Sequence, residues 1–173
     1  AFILKPSERD PGVPLMLAEL ALEAGFPPGV INVVPGYGPI AGAALVKHPQ
    51  VDKIAFTVEG STAKIIMREA ADTLKRLTFE LGGKSPNIVF ADARDLGKAA
   101  EAAASGIFYN QGEVCTAASR LLVERSIKDE FVARVVEAGR TMHPRHPLEP
   151  NAPMGAMVDA GQTARVLEYI EKG

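Results

Sequence analysis

Apolar residues along the chain fall into short β-branched blocks separated by longer stretches of helical spacing. FIL at 2–4 reads as the tail of a buried strand. From Val13 to Ala24, Leu15, Leu17, Leu20 and Leu22 stand among helix formers, with Asp10 and Pro11 as start signals and Gly25 as stop. INVV (31–34) predicts a strand, PGYG a turn, Ile40 to His48 an alanine-rich helix, and KIAF (53–56) a strand ending at a turn. A helix over 62–75, a strand LTFEL (77–81), the turn GGKSP and a strand NIVF (87–90) follow. Asp95 is placed to cap a helix running to about Tyr109. RLLVE (120–124) predicts a strand, Ser126 a cap for a helix to about Gly139, and DAGQTARVLEYIEKG a terminal helix.

Strands alternating with helices at this spacing predict an α/β fold of βαβ units on a parallel sheet. The double glycine of GGKSP is the expected hinge between two lobes, 1–82 and 83–173, with the site at strand ends. TMHPRHPLEPNAPMG carries four prolines and is expected to be an ordered surface loop.

Composition narrows the function. A hydrophobic fraction of 47% over 173 residues suits a globular core and argues against disorder. The net charge of −2 comes from interspersed acidic and basic residues, with no basic stripe to neutralise nucleic-acid phosphates. One cysteine forms neither an internal disulfide nor a structural zinc cluster, which points to a reducing compartment, with the cytoplasm as default. No apolar run approaches the roughly 20 residues of a membrane-spanning helix. The opening AFILKPSERD enters a strand midway without an initiator Met, so the chain is expected to be a piece of a longer protein.

Three features could carry chemistry. Cys115 is the only cysteine, set in YNQGEVCTAAS. A cysteine nucleophile must be a reachable thiolate backed by donors for an oxyanion, and Gly112, Thr116, Ala117, Ala118 and Ser119 leave space and bare backbone around the sulfur. The bland alternative is a buried thiol, against which stand the polar neighbours Asn110, Gln111 and Glu113. Glu80 interrupts the apolar strand LTFELGG; desolvation there would move its carboxyl towards the range of a general base, whereas a solvated strand face would leave it structural. PGYGPIAG (35–42) places glycines between a strand and a helix, as a phosphate-binding turn does, although a tight βα turn would read the same. VEGST (58–62) is a second such turn. His48, His143 and His146 show no metal-like spacing, so no metal is expected and any base for Cys115 is not a histidine.

FELGGKSP (79–86) and NQGEVCTAASR (110–120), preceded by LKPSE (4–8), PGYGPIAG and KIAFT (53–57), closely resemble the aldehyde dehydrogenase superfamily over essentially the whole chain. The resemblance implies a Rossmann-like parallel βα cofactor lobe continuing into an α/β catalytic lobe, incomplete here. It implies oxidation of an aldehyde to a carboxylate with NAD(P)⁺ reduction. Cys115 would attack to give a thiohemiacetal and then a thioester, Glu80 would activate the hydrolytic water, and the Cys115 amide would supply half of the oxyanion hole. By the same resemblance Lys5 and Glu8 match residues at the adenine ribose, with Pro6 and Ser7 completing that loop. Gly36 and Gly38 match the adenosine-end glycines, Phe56 and Thr57 the strand end before the pyrophosphate turn, and Leu81 and Gln162 further cofactor contacts. A carboxylate at Glu8 favours NAD over NADP.

One turn departs from the family pattern F-T-G-S-T-x-x-G. Read without gaps, Val58 and Glu59 replace the glycine and phosphate-binding serine; read with a shift, Gly60 and Ser61 still serve. The asparagine completing the oxyanion hole and the glutamate at the nicotinamide ribose are expected outside this chain. IFYNQGEVC and the HPLEP loop look most like members acting on amino- or γ-glutamylamino-aldehydes, and the family implies a homodimeric or homotetrameric parent. Two other functions stay open: a cofactor-independent thioester or ester hydrolase, and an inactive nucleotide-binding remnant.

Overall fold

The computed structural model describes residues 1–173, which form two compact units, Ala1–Leu81 and Gly82–Gly173. Both are built from the same local device, a strand, a helix and a parallel strand beside the first.

The first unit contains two such devices. β1 (Phe2–Leu4) leads through α1 (Gly12–Glu23) to β2 (Ile31–Val33), which pairs parallel with β1 in the register Ile3 to Asn32. The stop at Gly25 is a Schellman closure: Gly25 has φ +87°, its amide donates to the Leu22 carbonyl at 3.0 Å, and the Phe26 amide donates to that of Ala21 at 3.0 Å. After β2 the chain makes a π-helical turn at Gly38–Gly42 and runs directly into α2 (Ala43–Lys47). The expected single helix over 40–48 is therefore two geometries, the wider turn being entered at Gly38 with Pro39 behind it.

β3 (Lys53–Thr57), α3 (Gly60–Ala70) and β4 (Arg76–Glu80) form the second device, with Phe56 opposite Phe79 and Thr57 opposite Glu80. α3 begins and ends earlier than the expected 62–75. A 3-10 turn at Ala71–Thr73 closes it, and Leu74 adopts φ +52°, a left-handed geometry that no helix continues through. Lys75 then turns inward, donating to the carbonyls of His48 and of Val51, the latter at 2.8 Å, and so ties the entry to β3 against the start of β4. Val46, Ile66 and Ala70 form the core of this region with Ile54, Leu77 and Phe79 against them.

In the second unit β5 (Pro86–Val89), α4 (Leu96–Phe108) and β6 (Arg120–Val123) repeat the arrangement, with Ile88 opposite Leu122. Asp95 caps α4 as expected, accepting from the Lys98 amide at 3.0 Å. Ser126 does not cap the next helix. A 3-10 turn occupies Arg125–Ile127, and the Ser126 hydroxyl donates instead to Glu124 at 2.7 Å, which takes it away from the amides of α5 (Lys128–Gly139). Phe131, fully buried, anchors α5 on the small-residue face of α4 formed by Ala100 and Ala103, with Val89 completing the core. Asp159 caps α6 (Ala160–Lys172), accepting from the Gln162 amide at 2.6 Å.

The proline-rich stretch is ordered: a bridge joins Pro144 to Met154, and the Arg145 amide donates to the Met154 carbonyl at 3.0 Å. The expected parallel βαβ units are present, with the strands paired as β1–β2, β3–β4 and β5–β6. No helix is long and apolar enough to cross a membrane.

Candidate active site

Cys115 lies on the connection between the end of α4 and the start of β6. That connection leaves the helix through three successive left-handed residues, Asn110 (φ +50°), Gln111 (φ +58°) and Gly112 (φ +76°), closed by the Glu113 amide on the Asn110 carbonyl at 2.9 Å. Two non-glycine residues in this region hold about 1–2 kcal/mol of strain each. The reversal they make starts the tight turn Val114–Ala117, in which the Ala117 amide donates to the Val114 carbonyl at 3.1 Å. Cys115 is central in that turn and exposed, and its own amide takes no part in the closing bond. In this chain the thiol is therefore not buried. Ala117, by contrast, is buried and fixes one side of the turn.

The GGKSP segment runs alongside. At Gly83 a Cβ would lie 2.8 Å from the Cys115 carbonyl oxygen, a separation that real side chains do not adopt. Gly82 has open space at the same atom. Arg120, the first residue of β6, donates from its Nε to the Lys84 carbonyl at 2.7 Å and from its amide to the Ser85 carbonyl at 3.3 Å.

Glu80 ends β4 in the first unit, beside Thr57, and its carbonyl accepts from the Val58 amide at 2.9 Å. Its expected desolvation is corrected: Glu80 is exposed. Strand alternation sends Leu77 and Phe79 to the core and leaves Arg76, Thr78 and Glu80 on a face that nothing in this unit covers.

The residues assigned to the cofactor's adenosine end come together. Lys5, with 14% of its side chain exposed, donates from Nζ to the carbonyls of Pro6 at 2.6 Å and Gly36 at 2.7 Å, and pairs with Glu8 at 3.8 Å. It thus links the loop after β1 to the turn after β2, the carboxyl ends of two parallel strands. Gly36 has φ +144° and space only for hydrogen, since a Cβ would meet that of Ala41 at 2.9 Å. Ser7 accepts from the Arg9 amide at 3.2 Å, and Gly38 opens the π-helical turn. Phe56 and Thr57 are exposed at the end of β3 and Leu81 just after β4. Gln162 stands in the second unit, in the first turn of α6.

At the turn before α3, Glu59 is the residue flanking the helix, Gly60 its first position and Ser61 its second. The Ser61 hydroxyl donates to the Glu59 carboxylate. The Lys5, Glu8 and Gly36 end presents a carboxylate and a glycine backbone, chemistry that would suit the ribose hydroxyls of a dinucleotide. At the start of α3 the Glu59 carboxylate takes the Ser61 hydroxyl and caps none of the helix amides, so a phosphate at that terminus would meet a neighbouring negative charge. Sequence reasoning missed that bond, the close approach of Gly83, and the left-handed pair before Cys115. Only the last had a local signal, the turn-forming composition of Asn110, Gln111 and Gly112.

The aldehyde dehydrogenase family model matches residues 1–173. Aldehyde dehydrogenase 1A1 of Oryctolagus cuniculus is 52% identical over 172 residues, which are 99% of this chain and 34% of that protein. The crystal structure of gamma-glutamyl-gamma-aminobutyraldehyde dehydrogenase from Burkholderia cenocepacia J2315 superposes with a TM-score of 0.94 at 55% identity, over 98% of this chain and 34% of that one. That of an indole-3-acetaldehyde dehydrogenase complexed with NAD⁺ gives 0.95 at 55% identity, with the same coverage. The chain spans about a third of the length of these relatives. With a parallel α/β fold matched over nearly its whole length, the chain belongs to the aldehyde dehydrogenase family.

Proposed function

We propose that this chain is the central third of an NAD(P)⁺-dependent aldehyde dehydrogenase, carrying the nucleophile and the hydrolytic base. The observation that carries the reading is the exposed Cys115 in a tight turn with its amide outside the closing bond. Attack of the Cys115 thiolate on an aldehyde carbon makes a carbon–sulfur bond and an oxyanion, which the Cys115 amide is placed to meet. The bound cofactor supplies the acceptor for the hydride that leaves this carbon. The thioester left on Cys115 is then opened by water, whose proton Glu80 takes, and the carboxylic acid departs with the thiol restored. Exposure of Glu80 at the end of β4 leaves it accessible to that water.

Lys5, Ser7, Glu8, Gly36 and Gly38 hold the adenosine end, with Phe56, Thr57, Gly60, Ser61, Leu81 and Gln162 as further contacts. Glu8 selects NAD over NADP, since its carboxylate accepts from ribose hydroxyls and repels a 2′-phosphate. The substrate class is an amino- or γ-glutamylamino-aldehyde, in keeping with the named activity of the Burkholderia relative. The intact enzyme is a cytoplasmic homodimer or homotetramer, and residues 1–82 and 83–173 belong to its cofactor and catalytic lobes. The isolated 173-residue chain turns over poorly, because half of the oxyanion hole and the nicotinamide-ribose contact come from elsewhere in the enzyme.

The test is NADH production by the full-length protein against a panel of aldehydes, with Cys115→Ala alongside. Loss of turnover in that variant is expected, and undiminished turnover sinks the assignment. The Glu59–Ser61 bond favours one competing reading, a remnant that no longer takes up a dinucleotide. Calorimetry of NAD with the full-length protein separates the two, since the remnant gives no heat of binding.

A further inference from the structure

Arg120 is exposed and lies outside every role assigned above, yet it makes the hydrogen bonds that hold GGKSP beside the Cys115 turn. Its Nε donates to the Lys84 carbonyl at 2.7 Å, and its amide to the Ser85 carbonyl at 3.3 Å, just before the pairing of Pro86 with Arg120 that begins the β5–β6 ladder. These bonds fix Lys84 and Ser85, and Gly83 is the next residue back. Gly83 is the residue whose backbone lies against the Cys115 carbonyl, with a Cβ position 2.8 Å from that oxygen. Arg120 also closes the other side, because it is the fifth residue after Cys115 and ends the same loop at the start of β6.

The loop between them needs such a clamp. It enters through left-handed Asn110 and Gln111, a strained geometry that persists only where the surroundings over-determine it. Its remaining internal bonds are the Val114–Ala117 turn and the Ser119 amide on the Ala117 carbonyl at 2.9 Å. Nothing in those two bonds ties the loop to its neighbour, whereas the Arg120 side chain does.

We propose that Arg120 is a positioning residue for the Cys115 chemistry: its side-chain N–H, acting as a hydrogen-bond donor and not as a charge, holds Gly83–Ser85 against the cysteine turn. This rests on the reading of Cys115 as nucleophile. The donor requirement gives a sharp pair of substitutions. A glutamine side chain carries its amide nitrogen the same number of bonds from the backbone as the arginine Nε, so Arg120→Gln keeps a donor for the Lys84 carbonyl while removing the charge. Arg120→Met fills similar space and removes the donor.

The experiment measures kcat, aldehyde KM and NAD affinity in the full-length protein, and hydrogen exchange of the backbone amides over 83–85 and 113–119. Arg120→Met is expected to lose about tenfold or more in kcat, as reacting groups displaced by an ångström or so do, with NAD affinity within about twofold. Exchange over the two segments should quicken while α4 and α5 stay protected. Arg120→Gln should stay near the parent in both respects. A glutamine variant as impaired as the methionine one overturns the donor role, and turnover of the methionine variant near that of the parent overturns positioning altogether. Loss of protection throughout the second unit in Arg120→Met would make Arg120 a general fold residue and overturn the local role. Cys115→Ala, assayed in parallel, separates this outcome from failure of the nucleophile assignment, because the exchange measurement reads the clamp whether or not the cysteine reacts.

Discussion

The backbone of Gly83 faces the carbonyl oxygen of Cys115 so closely that a side chain at 83 would sit 2.8 Å from that oxygen. The obstacle is backbone and cannot swing aside as the end of a flexible side chain would. Gly82 is the natural control, with nothing within 4 Å of its Cβ position.

Gly83→Ala is therefore expected to push the Cys115 turn out of place and to lower kcat by about tenfold or more, leaving NAD affinity within about twofold. Gly82→Ala meets no such obstacle and should be far milder. Steady-state kinetics with cofactor titration of both variants checks this; equal losses at the two glycines would mean that flexibility and not close approach is what this segment supplies.

Glu80→Gln removes a base and keeps shape. If Glu80 acts on the thioester, the first equivalent of NADH should still form while steady-state turnover falls by about 100-fold, the usual worth of a positioned base. Quenched-flow measurement of the NADH burst decides. A variant without a burst would place Glu80 before the thioester, as the base for Cys115 itself.

Glu59 stands at the start of α3 with the Ser61 hydroxyl on its carboxylate. On the proposed function, a pyrophosphate at this turn would compete with Glu59 for the Ser61 hydroxyl and place two anions near each other. Two like charges about 4 Å apart in water repel by about 1 kcal/mol, so Glu59→Gln is expected to tighten NAD binding about fivefold. The gain should shrink at high salt, since the turn is exposed and screened. Calorimetry at two ionic strengths tests it. Unchanged affinity would move the pyrophosphate away from this turn.

What could be read from the sequence was mostly local chemistry. Asp95 announced α4 because an N-cap needs only the amide three residues on, and Gly25 announced the end of α1 because a Schellman closure needs a left-handed residue. Ser126 carried the same kind of signal and failed, since Glu124 two residues before it competes for the hydroxyl. The end of α3 is not legible in the sequence, because a left-handed Leu74 has no composition that marks it. Cys115 and Glu80 stood out by residue type. Their surroundings did not: the solvent on Glu80 depends on which face of β4 is covered, and the close approach at Gly83 depends on a neighbour 32 positions away. The pairing of strands as β1–β2, β3–β4 and β5–β6 is likewise non-local, since the pattern of each strand gives its type and not its partners.

Glu124 links the ends of β5 and β6. One carboxylate oxygen accepts from the Ala91 amide at 2.8 Å and the other from the Ser126 hydroxyl at 2.7 Å, while the Glu124 amide donates to the Val89 carbonyl at 2.9 Å. The Ala91 amide first, and the Ser126 hydroxyl second, hold its carboxyl below the ordinary carboxylate range, outweighing a small opposing effect of desolvation. A carboxyl depressed in the folded state contributes stability that is present above its unfolded value and is lost as pH falls through the folded one. The second unit should therefore weaken on acidification beginning near the ordinary glutamate value and continuing below it. Glu124→Gln keeps one neutral acceptor for the Ala91 amide, offers an NH2 in place of the second carboxylate oxygen at Ser126, and does not titrate. Glu124→Gln is expected to be less stable than the parent at neutral pH, with the difference closing as pH drops through that window. Thermal melts at a series of pH values check the sign; a gap that stays constant would show that packing, and not the ionised carboxylate, is what Glu124 contributes.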